Sequence, residues 1–409
     1  MNQQEREDII SLLENAIPAI KRGNDKRVKQ LSDRIIHSAA IFQDKYAIQL
    51  ATTIYALYKI MKNDWYKKRN KQEYKAFLEN VYPMLTEALS YIKKGDTPKY
   101  YSTMSKVLKL IGNFDRKFGQ YLGEVIRYAM IKKASRVYYH GISLGRVAEM
   151  IGVSEWELMD YVGGLREDEF PLHEKVTPEE RIKWDLKGSV VMDTSTVIVS
   201  AANCMLPLLK EIKSAKWVIP VWVREEAIGR ALEITRFAYQ AIRIESAIKE
   251  NTINVMYNES ARELSEKLLY LANNTFKARG KWIKIVHKGE VGVIALAKTI
   301  GAEYVAIDER TARTLVENPE QIKELLERRL HTNIEINTRN LQAVRDITNG
   351  LKVIRSAEIF VQAFKMGLFN RYINGINRAK LIRSVLWALK YKGCAIKRSE
   401  IEKYVELLR

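Results

Sequence analysis

Apolar residues recur at three- and four-residue spacing through the first 140 positions, so this region predicts helices. "EREDIISLLENAIPAIKRG" ends at Gly23, a helix stop signal. The stretch from Asp25 to Asp64 continues helically, as two helices. "KQEYKAFLENVYPMLTEALSYIKKG" and "TPKYYSTMSKVLKLIG" each stop at glycine, and "FDRKFGQYLGEVIRYAMIKKASRVYYHG" closes the region. Strand-like alternation is nearly absent and no fixed-period repeat is found, so residues 1–140 are expected to form an all-α bundle or short array. Its tyrosines and lysines read as amphipathic packing with a wet tip; RNA contact is the alternative.

Residues 141–166 carry a different signal. Ser143 and Ser154 are each placed to cap a short helix, and Gly152 supplies the turn between them. Ala148 followed by Gly152-Val153-Ser154 resembles the helix-turn-helix family, whose recognition helix would here begin after Ser154. That helix buries Trp156, Leu158, Met159 and Val162, but it carries Glu155, Glu157 and Asp160 and no Lys or Arg before Arg166. Acids facing phosphates repel them. A protein-contact or structural role is therefore expected at least as much as DNA reading. Residues 167–187 read as a charged connector with Pro171 and Pro178, in which Thr177-Pro178-Glu179-Glu180 is a capping box.

From Gly188 the texture changes again. "GSVVMDTSTVI", "AKWVIPVWVREEAIGRAL", "KWIKIVHKGEVGVIALAKTIG", "AEYVAIDERTA" and "LKVIRSAEIFVQAFKMG" each join a short apolar run to a helical pattern. Strands alternating with helices argue for an α/β fold, a parallel sheet flanked by helices, over 188–409. Ile242 to Arg279 reads as one long helical stretch, and the last residues as two helices around Gly393.

Composition narrows the chemistry. No apolar run is long enough to span a membrane, and the charged, helical start lacks a signal-peptide pattern, so a cytoplasmic protein is expected. Two cysteines, Cys204 and Cys394, argue against a cysteine-rich zinc site or a disulfide framework. Five histidines show no ligand spacing, so any metal would take oxygen ligands. The net charge of +19 favours polyanionic partners. From Leu351 to Arg409 there are 13 Lys/Arg against 4 Glu, a concentration of positive charge at the end of the chain.

Four carboxylates occupy ligand-binding positions. In open parallel sheets, ligands bind beyond the carboxyl ends of the strands. Asp193 follows "SVVM" and Asp308 follows "EYVAI"; Glu226 opens a helix after "VIPVWV", and Glu290 opens one after "IVHKG". Carboxylates so gathered repel one another unless a cation joins them, and an all-oxygen set suits Mg²⁺ or Mn²⁺. Capping of the local helix is the alternative reading for each acid, and it fits Glu226 and Glu290 better than Asp193 and Asp308.

These pieces, in this order, resemble the PIN-domain nucleases. The matching segments are "VVMDTSTVI", "IPVWVREEAIGRA", "KGEVGVIALAKTIGAEYV" and "AIDERTAR", with "LKVIRSAEIFVQAFKMGLF" similar to the family's last strand and helix. The resemblance covers Gly188 to Arg409. It implies a Mg²⁺- or Mn²⁺-dependent endoribonuclease with Asp193, Glu226, Glu290 and Asp308 as catalytic acids and metal ligands. Ser195, or Thr194, would brace Asp193 or orient a water at the metal. Arg310 and Arg313 would touch phosphates or brace their neighbours, and Arg355, Lys390, Lys392, Lys397 and Arg398 would hold an RNA backbone. Pairing of two copies is also implied by the resemblance; the helical N-terminal half and the helix-turn-helix-like segment are expected, on their own reading, to present substrate or a protein partner. His287 stands where many members have Asp, and Ala306 where many have Thr or Ser. The alternative is a catalytically weak PIN scaffold that binds nucleic acid, for instance as a DNA-associated regulator.

Overall fold

Helical periodicity in the first region is realised as α1 (Gln3–Lys21), α2 (Asp25–Phe42), α3 (Lys45–Lys62), α4 (Lys71–Lys93), α5 (Thr97–Lys117) and α6 (Gly123–Tyr139). The computed structural model describes residues 1, 3–64, 67, 71–117, 123–163, 176–373 and 375–408. Asn24 caps α2 by accepting from the Arg27 amide at 3.0 Å, and Asp44 caps α3 through the Tyr46 amide at 2.9 Å. Gly23, in the left-handed region at φ 67°, turns the chain between α1 and α2. Ile9, Leu13, Ile20, Leu31, Ile35, Leu50 and Ile54 are buried between these helices. Several lysines lie over tyrosines, Lys45 over Tyr101 and Lys133 over Tyr55 among them.

The chain forms two compact units. One takes Met1–His140 with Ala278–Ile283 and Arg329–Thr332; the other takes Gly141–Lys277, Lys284–Arg328 and Asn333–Arg409. The short segments 278–283 and 329–332 thus belong with the helical region despite lying in the second half of the sequence.

The second unit is built on a five-stranded, all-parallel sheet of β1 (Gly188–Met192), β2 (Ala215–Pro220), β3 (Ile253–Met256), β4 (Tyr304–Ala306) and β5 (Lys352–Ile354). The strand order is β3-β2-β1-β4-β5. Register is set by Val190 opposite Trp217 on one side of β1 and opposite Tyr304 on the other. Val190, Val191, Met192, Ile219, Val305 and Ile354 are buried, as a sheet covered on both faces requires. Successive strands run outward from β1 through β3, and the chain then crosses back to β4. The order therefore reverses between β1 and β4, the place where open α/β sheets leave a crevice for ligands.

Two expectations need correction. The stretch from Ile242 to Arg279 is not one helix: edge strand β3 separates the helices Thr235–Lys249 and Glu259–Asn273. Asn251, at φ 57°, ends the first helix, and the β-branched pair Ile253 and Val255 then extends. Conversely, Ile283, Ile285 and Val286 are buried without joining the parallel sheet. Among them, the Ile285 carbonyl accepts from the Ser143 amide at 2.8 Å.

The helix-turn-helix-like segment forms α7 (Leu144–Ile151) and α8 (Glu155–Val162), with Gly152 left-handed between them at φ 69°. Ser143 caps α7, and Ser154 with Glu157 forms a capping box on α8. Trp156 stacks on Phe237 and donates its indole N–H to the Ala227 carbonyl at 3.0 Å. Trp156, Leu158, Met159 and Val162 are all buried, so α8 is docked within the sheet unit. Arg166 and the connector up to residue 175 lie outside the described residues. Among the described residues, no helix is long and apolar enough to cross a membrane.

Candidate functional site

Asp193 stands where β1 ends. Its amide continues the sheet by donating to the Ala306 carbonyl at 2.9 Å, and its side chain caps α9 (Thr194–Ala202) through the Thr196 amide at 2.7 Å. Ser195 donates its hydroxyl to the other carboxylate oxygen. The residue is 2% exposed. Burial, and then the charge of Asp308, pushes it from 3.8 to about 7, against the pull of these hydrogen bonds.

Glu226 lies one turn after β2, in a π-helical turn spanning Glu225–Gly229. Such turns are a single-residue excess in a helix and occur often at functional sites. Here Glu225 is exposed, while Glu226 faces inward, accepts from the Thr194 hydroxyl at 2.6 Å and lies 3.4 Å from His287 Nδ1. Burial pushes Glu226 upward, opposed by His287 and Thr194.

Glu290 is the third residue of α10 (Lys288–Thr299), whose N-cap is His287. One oxygen accepts from the His287 amide at 2.6 Å, the other from the Gly145 amide at 3.2 Å. It is buried, and burial with the charge of Glu309 raises it well above the usual carboxylate range.

The fourth expected acid behaves differently. Asp308 is fully buried; one oxygen accepts from the Ser356 amide at 2.7 Å and the other, Oδ2, has no hydrogen-bond partner among the described residues. Its charge acts on Asp193. The next residue, Glu309, acts on Glu290 and, after Glu226, Glu290 and Asp193, on Glu155. Glu309 is 3% exposed and caps α11 (Arg310–Glu317) through the Ala312 amide at 2.7 Å. Its second oxygen, Oε1, is buried without a partner among the described residues.

The residue that sequence reasoning missed is Glu155. It opens α8, and burial followed by the charges of Glu226, Glu290, Asp193 and Glu309 raises it well above the ordinary range. Ligand atoms of Glu155, Glu226 and His287 all lie within 4.8 Å of one another. No distinguishing signal marks it in the sequence: Glu157 is accounted for by its capping box, and Glu155 reads as one more acid in the first turn of a helix, where the helix dipole favours it. Two glycines make room. A Cβ on Gly145 would sit 2.6 Å from Glu155 Oε1 and 3.1 Å from Glu290 Oε1, and one on Gly289 would sit 2.6 Å from Glu226 Oε2.

A cavity of about 440 Å³ opens onto Glu155, Glu226 and His287, with Arg230 and Lys288 also in its lining. Both basic residues are exposed. A pocket with acids inside and bases at its mouth attracts an anion and a cation together.

The structure corrects the basic residues assigned to a nucleic-acid surface. Arg355 is fully buried and pairs with Glu358 at 2.6 Å and Glu400 at 2.8 Å. Lys390 is buried and donates to the Ile396 carbonyl at 2.6 Å; Arg313 is buried and donates to the Ala395 carbonyl at 3.2 Å. Buried carboxylates and carbonyls need donors, and these cations supply them. Arg310 is half-buried, Lys397 half-exposed at a helix start, and Lys392 pairs with Asp160 at 3.3 Å. Arg398 is exposed.

No protein-family model matches this sequence, and no curated protein or solved structure matches it.

Proposed function

We propose that the protein is a divalent-metal-dependent endoribonuclease of the PIN type. One observation carries the reading: Glu155 and Glu226, from separate segments, bring carboxylate oxygens within 4.8 Å of each other and of the His287 imidazole, in a cavity beside further buried acids whose burial and mutual repulsion favour a cation. The residues fit a divalent ion. Glu309 Oε1 is buried without a partner among the described residues, Gly145 and Gly289 leave space for carboxylate oxygens, and the donors that line the cavity are hard oxygens plus one imidazole. When bound, Mg²⁺ or Mn²⁺ supplies charge neutralisation and Lewis acidity toward a phosphodiester.

The chain's own residues do the rest. Ser195 and the Thr196 amide hold Asp193 in one orientation, and Thr194 does the same for Glu226. Burial keeps bulk water from screening the acids. Lys288 and Arg230 at the cavity mouth would receive the phosphate. The net charge of +19 supports a polyanion as substrate, with RNA ahead of DNA by resemblance. The scaffold alternative draws on one observation, the engagement of Asp308 by the Ser356 amide rather than by the pocket.

Incubation of RNA and DNA oligonucleotides with purified protein and Mn²⁺ tests the reading. Wild type is expected to cut RNA and Asp193→Asn to leave it intact. No cleavage by wild type, or equal cleavage by the variant, would sink it and favour the scaffold.

A further inference from the structure

We propose that Glu155, at the start of α8, is itself a ligand of a divalent cation, in a site it shares with Glu226 and His287. The proposal rests on the reading of the pocket as a cation site and extends it to a helix outside the strand-and-helix sequence that suggested that reading. It also replaces DNA contact as the role of the helix-turn-helix-like segment.

Three observations meet here. First, donor atoms of Glu155, Glu226 and His287 lie within 4.8 Å of one another, close enough for one ion. Second, the other acids of α8 have partners. Glu157 is held in the capping box with Ser154, and Asp160 pairs with Lys392 and Arg236. Glu155 instead lines the cavity with Glu226 and His287 and shares the space at Gly145 with Glu290, and no donor among the described residues reaches it. Third, Glu309 Oε1, buried and unpartnered among the described residues, belongs to the same group of charges. Glu155 and Glu226 thus present carboxylate oxygens to the same cavity as the His287 imidazole, an arrangement that one cation can bridge.

The glycine at 145 is the cradle for this arrangement. Any side chain there would occupy the space that Glu155 Oε1 and Glu290 Oε1 take. The donor set also sets the preference. An imidazole beside two carboxylates suits Mn²⁺ better than Mg²⁺, which favours oxygen and retains its water. His287, which departs from an all-oxygen set, thus tunes the ion.

The test is Mn²⁺ binding to the full-length protein, followed by electron paramagnetic resonance without substrate, with Mg²⁺ as competitor. Wild type is expected to bind Mn²⁺ and to release it only to a large excess of Mg²⁺. Glu155→Gln is expected to weaken Mn²⁺ binding by about ten-fold or more. His287→Asn, which preserves an N-cap side chain, is expected to weaken Mn²⁺ and to make Mg²⁺ a better competitor. Asp160→Asn, on the same helix, is expected to bind as wild type. Glu155→Asp serves if Glu155→Gln fails to fold, and it should also weaken binding. Unchanged Mn²⁺ affinity in the Glu155 variant, or no Mn²⁺ binding by wild type, overturns the proposal. The two readings separate cleanly. Binding that depends on Glu155 without RNA cleavage supports the ligand and removes the nuclease. Cleavage in Mn²⁺ with binding indifferent to Glu155 does the reverse.

Discussion

Glu290 and Glu358 hold the same position in their helices. Each is the third residue, and each accepts from the amide of its own N-cap residue, at 2.6 and 2.7 Å. Both are buried. Yet burial, which opposes ionisation of both, is overcome only at Glu358, where the Arg355 guanidinium holds the carboxyl down to about 2. Glu290 is driven well above its ordinary range by burial and Glu309. A third such residue, Glu400, accepts from the Lys397 amide and shares Arg355 with Glu358, and Tyr404 donates to Glu358. One local motif thus serves two purposes in one unit. Around Arg355 the charges balance and lock the C-terminal helices α12 (Ser356–Lys365) and α13 (Arg398–Leu407) to the sheet. Around Glu290 nothing balances the carboxylate, so burial and Glu309 oppose its ionisation, an opposition that a cation would relieve.

The contrast can be broken at either end. The largest effect is expected for Arg355→Met, which strands two buried carboxylates and should cost about 3–5 kcal/mol in urea unfolding. Glu290→Gln in the metal-free protein should cost far less, because burial and Glu309 already favour the neutral acid there and the amide oxygen can still accept from a backbone N–H. Equal costs would end the distinction. Next comes Asp193→Asn. RNA cleavage should fall on the order of 10²- to 10³-fold, while the metal-free protein melts no lower than wild type. A variant that loses activity only because it unfolds would point to a structural aspartate.

The third effect concerns pH. Folding raises Asp193 from 3.8 to about 7, so the folded chain binds that proton more tightly than the unfolded one. The resulting stability is complete below about pH 4 and is lost as pH rises through about 7. His140, which burial pushes down to about 4, acts in the opposite direction, losing stability as pH falls below its ordinary 6.5. The readout is therefore the difference between wild type and Asp193→Asn, followed by calorimetry in a chelator. Wild type should lose more stability than the variant between pH 4 and 7, and saturating Mn²⁺ should abolish the difference. Parallel profiles would show that Asp193 is not strained by its surroundings. The smallest effect is at the surface. Arg398→Ala should lower the salt dependence of RNA binding by about one unit of slope, with no change in melting.

Much of the sheet unit was legible because the central strands β1 and β4 are apolar runs that stop at or near an acid. Met192 to Asp193 and Ile307 to Asp308 mark strand ends without further help. The edge strand β3 was hidden, since so short a segment between two strongly amphipathic helices adds little to a periodic signal. Ile283 to Val286 misled in the other direction, because buried apolar residues do not reveal whether a neighbouring strand receives them. Among the candidate acids, those that follow a strand or open a helix after one were visible, whereas Glu155, which lines the cavity, was not. Its meaning comes from packing: α8 turns its acidic start toward α10 and the π turn, and no local pattern encodes that approach. Arg355 failed for a related reason. A count of basic residues measures net charge but not which ones a buried glutamate has already taken.

The indole of Trp156 gives the pocket a further property. It follows Glu155 directly in the chain, and its hydrogen bond ends on Ala227, which directly follows Glu226. Two acids 71 positions apart are thereby tied through their immediate neighbours, so the span between them is gauged by one bond rather than by the long path of chain that joins them. Anything that shifts α8 along its axis would reset that gauge, and the segment that resembles a reader of DNA becomes the calliper of the proposed ion site.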